Sequence, residues 1–401
     1  MPTFYNYTEG GQVYAIDDVF VPADAFRQGG LWVWGTNGYG QLGVNDTNKR
    51  CTPVTTSAGG ANWKQVAFGP NRQGVAAIKT DGTLWVWGKN EFLQLGINNT
   101  NMRCTPVTTF AGGTNWKQVS SGDYQTAAIK TDGTLWNWGI NFKGTTGSND
   151  ATYKSTPVTT FAGGTNWKQV VCGGAQYTLA IKTDGTLWGW GNNQYGQLGN
   201  NGAGNADPLT PITTFAGGTN WKQVACGTEH TAAIKTDGTL WTWGAGYYGQ
   251  LGVNAASVLV ADTQKFTPVT TFAGGTNWKQ VACGRSYTAA IKTDGTLWVW
   301  GYNNNGQLGI NNTDMRCTPV TTFAGGTNWK LVSCGTEHTA AIKTDGTLWT
   351  WGQNYYGQLG INNTTYPICT PVTTFAGGTN WKQVACNYDH TTALTYIDDY
   401  Q

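Results

Sequence analysis

The chain has 401 residues, of which 11% are charged and 57 are glycine, with a formal net charge of +2. Charge this sparse, against roughly 25% in an average soluble protein, and the lack of a Leu-rich helical pattern point to an all-β chain. The basic residues stand singly and no apolar run approaches roughly 18 residues, so neither nucleic-acid binding nor membrane insertion is expected.

Residues 1–28 lack the basic start and apolar stretch of a secretory signal, so no export address is expected. From residue 29 a repeat takes over. Leu-Trp-x-Trp-Gly occurs seven times, at Trp32 and Trp34, Trp85 and Trp87, Trp136 and Trp138, Trp188 and Trp190, Trp241 and Trp243, Trp298 and Trp300, and Trp349 and Trp351. A third tryptophan, in Asn-Trp-Lys, falls once per unit at Trp63, Trp116, Trp167, Trp221, Trp278, Trp329 and Trp381. Together they account for all 21 tryptophans, which leaves none for a special site.

Each unit reads as four strand-like runs, in the second unit "TLWVWG", "TPVTT", "NWKQVS" and "TAAIKT". The "TDG" between units is an Asp-Gly hairpin signal, expected to place both central residues at positive φ. Seven four-stranded antiparallel meanders predict an all-β, seven-bladed β-propeller over 29–396, whose closure hides its sheet edges. The last unit ends after its fourth run, "HTTALTYID", and "GGLWVWG" at 29–35 supplies a partner, so one blade is closed by both chain termini. Residues 397–401 remain as a tail.

Alternation puts the two tryptophans of Trp-x-Trp on one face of the strand. The residue between them is Val33, Val86, Asn137, Gly189, Thr242, Val299 or Thr350. This predicts a buried tryptophan face that forms the core between blades and an opposite face with weaker demands.

The run "LWVWGTNGYGQLG", then "TPV", a later Trp, Cys-Gly and "HTAAIKTDG", resembles the repeat of the regulator of chromosome condensation family across about 29–396. The resemblance implies a seven-bladed propeller. In that family the eukaryotic namesake exchanges nucleotide on the small GTPase Ran and binds chromatin, but this chain has no basic tail and no obvious long insertion to act as a wedge. The Gly-Trp-Arg-His-Thr motif of the plant ultraviolet receptors is absent. The near-identical copies and the leader "FYNYTEGGQVYAIDDVFVPADAFRQGG" look like propellers encoded by tailed phages of marine cyanobacteria.

In such a meander the loops alternate between the two ends of the ring. "FAGGTN" and "KTDG" share one face and hardly change, whereas the other face carries loops as different as "VNDTNKR" and "VNAASVLVADTQK", and third-to-fourth loops such as "PNRQG", "TEH" and "RSY". Rich in Tyr, Asn, Gly and Ser, the variable loops have the composition of recognition surfaces. Tyr39, Phe92, Tyr195, Tyr247, Tyr248, Tyr355 and Tyr356 are the candidate contact residues, with plugging of gaps between blades as the alternative.

No catalytic motif stands out, so no catalytic residue, cofactor or metal is expected. The nine cysteines occupy two repeat slots that elsewhere hold Phe, Ser or Leu, and read as buried reduced thiols. His230, His338 and His390 share one repeat position and read as surface or channel-lining. Asn-x-Thr triplets at Asn45, Asn98 and Asn311 read as Asn-rich turns. The leading expectation is a non-enzymatic virion protein on tail, fibre or capsid. It would attach to other virion proteins through residues 1–28 and contact a host-surface protein or glycan through one loop face. The alternatives are an intracellular (cytoplasmic) interaction scaffold or guanine nucleotide exchange factor, and a bacterial carbohydrate-binding surface protein.

Overall fold

The computed structural model describes residues 30–68, 74–202, 207–254 and 264–396. They form seven antiparallel sheets of four strands each, with no helix among the described residues. Blade 1 comprises Trp63–Phe68, Gly74–Lys79, Leu84–Gly88 and Arg103–Thr108, hydrogen-bonded in chain order. Blades 2 to 6 repeat this pattern over 116–159, 167–213, 221–270, 278–321 and 329–373. Each blade thus begins at the Asn-Trp-Lys strand, two strands after the Trp-x-Trp motif that makes the repeat visible. Blade 7 therefore takes two strands from each end of the chain: Leu31–Gly35 and Arg50–Thr55, with Trp381–Cys386 and His390–Thr395. Leu31 lies opposite Leu394 and Gly35 opposite His390, so each terminal pair of strands covers an edge the other would expose.

The first strands of successive blades lie side by side. Gln65 Nε2 donates to the Val119 carbonyl at 3.0 Å, and the Val119 amide returns a bond to Gln65 Oε1 at 3.0 Å. Gln118, Gln169, Gln223 and Gln280 make the same exchange with the next blade. These strands surround the axis, and the fourth strands form the rim.

The hydrophobic core consists of seven interfaces. Between blades 1 and 2, Ala76, Ile78, Leu84 and Val86 of one meet Trp116, Val119 and Trp138 of the other. Every blade thus turns its tryptophan face towards the preceding blade and its aliphatic face towards the following one. In each blade the Asn-Trp-Lys ring stands edge-on to both rings of Trp-x-Trp, as Trp116 does to Trp136 and Trp138 at 6.2 and 6.3 Å. Such edge-to-face contacts add to the 150–250 Å² or so that each aromatic side chain buries.

The second tryptophan of each motif is fully buried, and its indole crosses the interface. Trp138 Nε1 donates to the Gln94 carbonyl at 2.9 Å, and Thr126 Oγ1 donates to the same oxygen at 2.8 Å. Trp34, Trp87, Trp190, Trp243, Trp300 and Trp351 make the equivalent bond to the preceding blade's turn. That turn ends in a glycine because nothing larger fits: a Cβ on Gly96, at φ +63°, would lie 2.7 Å from the Trp138 ring.

Two expectations need correction. The face opposite the tryptophans is as buried as theirs, with Val86, Thr242, Val299 and Thr350 at 0% exposure and Asn137 at 1%. Its variety arises from local compensation. Thr242 and Thr350 donate to the carbonyls of Leu251 and Leu359, both at 2.8 Å, and Gly189 makes room for Leu179, which stands where other blades have Ala or Thr. The Asp-Gly hairpin is also not a two-residue turn with paired positive φ. Gly82 alone, at φ +80°, takes that conformation in a three-residue loop closed by Lys79 and Thr83.

Trp138→Phe removes a buried donor and leaves a cavity, so it is expected to destabilise by about 2–3 kcal/mol. Trp136→Phe, at a half-buried ring, is expected to cost about 1 kcal/mol. Denaturant midpoints of the two variants check the ranking.

Candidate functional site

The two ends of the ring differ in what fixes their side chains. On the uniform face a short network explains "KTDGTLW". Asp81 Oδ1 accepts from the Thr83 amide at 2.9 Å and from Thr83 Oγ1 at 2.7 Å, and Thr83 Oγ1 accepts from Trp85 Nε1 at 2.8 Å. Lys79 Nζ lies 4.4 Å from the Trp85 ring and 4.8 Å from Trp63. The Thr83 hydroxyl bond, then its amide, holds the Asp81 carboxyl below its ordinary pKa. Five further blades repeat the arrangement, so these residues recur because each is bonded.

On the variable face, blades 4 to 6 enclose a cleft of about 350 Å³. The loops between the first and second strands of each blade supply Glu229, Arg285 and Glu337, and the long loops between the third and fourth supply Tyr247, Tyr248 and Tyr302. Tyr248 and Tyr302 meet edge to face at 5.1 Å. Arg285 Nη1 stands 4.0 Å from Glu337 Oε1, and Asn305 Nδ2 donates to Glu337 Oε2 at 2.6 Å. Burial raises the pKa of both Glu229 and Glu337, and Arg285 only partly opposes it. Asp389 in blade 7 is buried and held at about 7, first by desolvation and then by the charge of Glu337. One guanidinium serving this acidic group leaves room for another cation beside an aromatic wall.

The sequence candidates spread around the whole face. Tyr247 and Tyr248 line the cleft, and Tyr195 meets Tyr247 edge-on at 6.3 Å. Phe92 packs edge-on against Tyr124 at 4.6 Å and Tyr355 stacks on Tyr366 at 4.1 Å. Tyr39 lies under Lys89 Nζ at 4.4 Å, and Tyr356 is exposed. Tyr302 and the three charged residues were missed. The signal for the charged residues was the charge in the loops after the Asn-Trp-Lys strands of three successive blades, "TEH", "RSY" and "TEH".

The histidines are neither on the surface nor lining the channel. All three are fully buried between blades, and desolvation lowers their pKa to about 3. Thr288 and Thr391 donate to the carbonyls of Gln250 and Gln358, so each hydroxyl accepts from a histidine Nε2, His230 at 3.0 Å and His338 at 2.9 Å. His390 packs edge-on against Phe68 at 4.9 Å. The cysteines are free: Cys172, Cys226, Cys283, Cys334 and Cys386 are buried, and Cys51, Cys104, Cys317 and Cys369 only half-buried. Burial pushes the Cys172 thiol up to about 11 and Cys386 to about 12. Among the described residues no three His, Cys, Asp or Glu side chains come together to hold a metal. Asn45, Asn98 and Asn311 sit at φ 67°, 59° and 63°, a left-handed conformation that asparagine tolerates in a tight turn.

Residues 112–399 match the RCC1-like domain, and residues 28–71 and 81–129 match the regulator of chromosome condensation (RCC1) repeat. The Arabidopsis thaliana ultraviolet-B receptor UVR8 is 33% identical over 332 residues, 82% of this chain and 74% of that one. The Homo sapiens E3 ubiquitin-protein ligase HERC2 is 28% identical over 91% of this chain, which spans only 8% of the ligase. Among solved structures, Prp20p of Saccharomyces cerevisiae superimposes with a TM-score of 0.78 over 92% of each chain at 18% identity, a likeness of fold.

The Asp389 carboxyl protonates near pH 7 in the folded protein and near 3.8 when unfolded. Its ionised form therefore penalises folding fully above pH 7, and the penalty fades as pH falls towards 4. Asp389→Asn is expected to be more stable than the parent by roughly 2–4 kcal/mol at pH 8 and equal to it near pH 4. Denaturation curves at the two pH values check this.

Proposed function

Since the chain belongs to the RCC1 repeat family, we propose that it is a non-catalytic interaction propeller that holds a partner protein on its variable loop face. In this reading the cleft between blades 4 and 6 receives a basic side chain of the partner. The observation that carries it is the pair of half-buried carboxylates, Glu229 and Glu337, that both feel the charge of Arg285 in a cleft lined also by Tyr247, Tyr248 and Tyr302. A second cation satisfies the surplus acid and lies against ring faces, an arrangement worth more when desolvated. Hot spots of this composition, aromatic rings around a charged anchor, dominate many protein interfaces. The likeness to Prp20p, studied for its binding to Gsp1p and histones, supports an interaction role in kind and leaves the partner open.

Exchange activity on a small GTPase rests on the same likeness of fold, and no residue in the cleft favours it. Display on a virion through residues 1–28 rests on a segment that lies outside the described residues, and the relatives lend it no support. Glycan binding by the loop tyrosines has no further observation behind it.

A fluorescently labelled Lys/Arg-rich peptide provides the test. We expect Glu229→Gln with Glu337→Gln to weaken its binding roughly tenfold or more, and the parent to lose affinity on acidification as the carboxyls protonate. Equal affinity of parent and double variant would sink the assignment of the cleft.

A further inference from the structure

The uniform face holds residues that its bonding network does not explain. Three charged positions recur there. The lysines that lie over tryptophan are Lys79, Lys130, Lys182, Lys235, Lys292 and Lys343. The hairpin aspartates number six, one beside each of these lysines. The third set is the lysine after the Asn-Trp pair, present in all seven blades from Lys64 to Lys382. Among the described residues, thirteen lysines against six aspartates give this face a net charge of +7. Among the described residues, the variable loops balance nine basic against nine acidic side chains, a net charge of zero. Basic residues that stand singly in the sequence are thus gathered on one face by the propeller, against the expectation drawn from their spacing.

The seven lysines of the first strands are all exposed, at the ends of the strands that surround the axis. The same face carries exposed aromatic rings. Phe110, Phe161, Phe215, Phe272 and Phe323 begin five successive blade-to-blade connections and are 63–67% exposed. Phe375 follows, half-buried, and Ser57 holds the seventh place. Each phenylalanine is anchored by its backbone amide, as Phe110 is to the Gly96 carbonyl at 2.9 Å, a bond that needs no aromatic ring. A ring of large exposed apolar side chains around a strongly basic face marks a surface for interaction.

We propose that the uniform face docks on an anionic lipid bilayer, with the lysines at the headgroups and the phenylalanine ring entering the interface. A face that repeats the same residues around a sevenfold ring matches a partner that is itself flat and repetitive, which a lipid surface is. Charge complementarity selects anionic headgroups, and shallowly buried aromatic side chains add a component that salt does not screen. A second copy in the same orientation would set one set of exposed lysines against another. A polyanionic chain would satisfy the lysines and leave the phenylalanine rings unused.

The test is co-sedimentation of the full chain with vesicles of phosphatidylcholine alone or with about 30% phosphatidylserine, at low and high salt. The protein is expected to sediment with the anionic vesicles and not with the neutral ones. Combined Lys117→Gln, Lys168→Gln, Lys222→Gln and Lys279→Gln should lower partitioning roughly 100-fold. Combined Phe110→Ser, Phe161→Ser, Phe215→Ser and Phe272→Ser should lower it roughly tenfold and make the remainder fully sensitive to salt. All eight positions are exposed, and the near-ultraviolet circular dichroism of the buried tryptophans reports whether each variant is folded. No sedimentation of the parent with anionic vesicles, or partitioning that neither variant changes, overturns the proposal. So does heparin binding that displaces the vesicles and is undiminished in the phenylalanine variant, which would mark a polyanion surface instead.

Discussion

The bond from a buried indole to the carbonyl of a glutamine or threonine in the preceding blade's turn is the constraint on which the structure depends. It occurs at all seven interfaces, always from the second tryptophan of the motif. An indole presents one donor on a large apolar plate, so it fills the gap between sheets and closes an otherwise unsatisfied backbone acceptor at the same point. The neighbouring choices follow from it. The preceding turn needs a glycine against the ring, the adjacent threonine shares the same carbonyl, and the aliphatic face supplies the surface on which the ring lies.

A ring built this way separates two kinds of surface. Repetition is enforced where side chains take part in the fold's own bonding, as in the Lys-Trp and Asp-Thr-Trp contacts of the uniform face. The variable loops are tied down mainly by an internal asparagine, such as Asn90, whose Oδ1 accepts from the Leu95 amide at 2.9 Å, and this leaves their tips free to differ. The acidic cleft arises where three such differences fall in adjacent blades. The basic face of the described residues arises from the opposite cause, the repetition of exposed lysines that the Asp-Thr-Trp network does not use.

Fold class, blade count and closure by both termini were legible because seven copies of Trp-x-Trp and Asn-Trp-Lys fix the period, and because the Gly29–Gly35 run completes the C-terminal unit. The offset between repeat and blade was not, since nothing in the repeat says which gap between strands falls between sheets. The histidines were misread because what buries them comes from the next blade, Thr288 against His230, Thr391 against His338 and Phe68 against His390, and local composition is silent about that. The cleft residues were hidden for a related reason. Glu229, Arg285 and Glu337 are each ordinary loop charges, and only the curvature of the ring brings them together. The lysine face shows the converse, residues dismissed as scattered that a regular period collects on one side.

The most direct measurement is hydrogen exchange at the indole nitrogens of the tryptophan-labelled protein, followed by NMR. The account predicts seven indole protons, those of Trp34, Trp87, Trp138, Trp190, Trp243, Trp300 and Trp351, that exchange only when the whole ring opens. The half-buried first tryptophans, such as Trp85 and Trp136, should exchange faster through local motion. If the seven exchanged as fast as Trp85 and Trp136, the indoles would not be the bonds that hold blade to blade, and the closed ring would need another explanation.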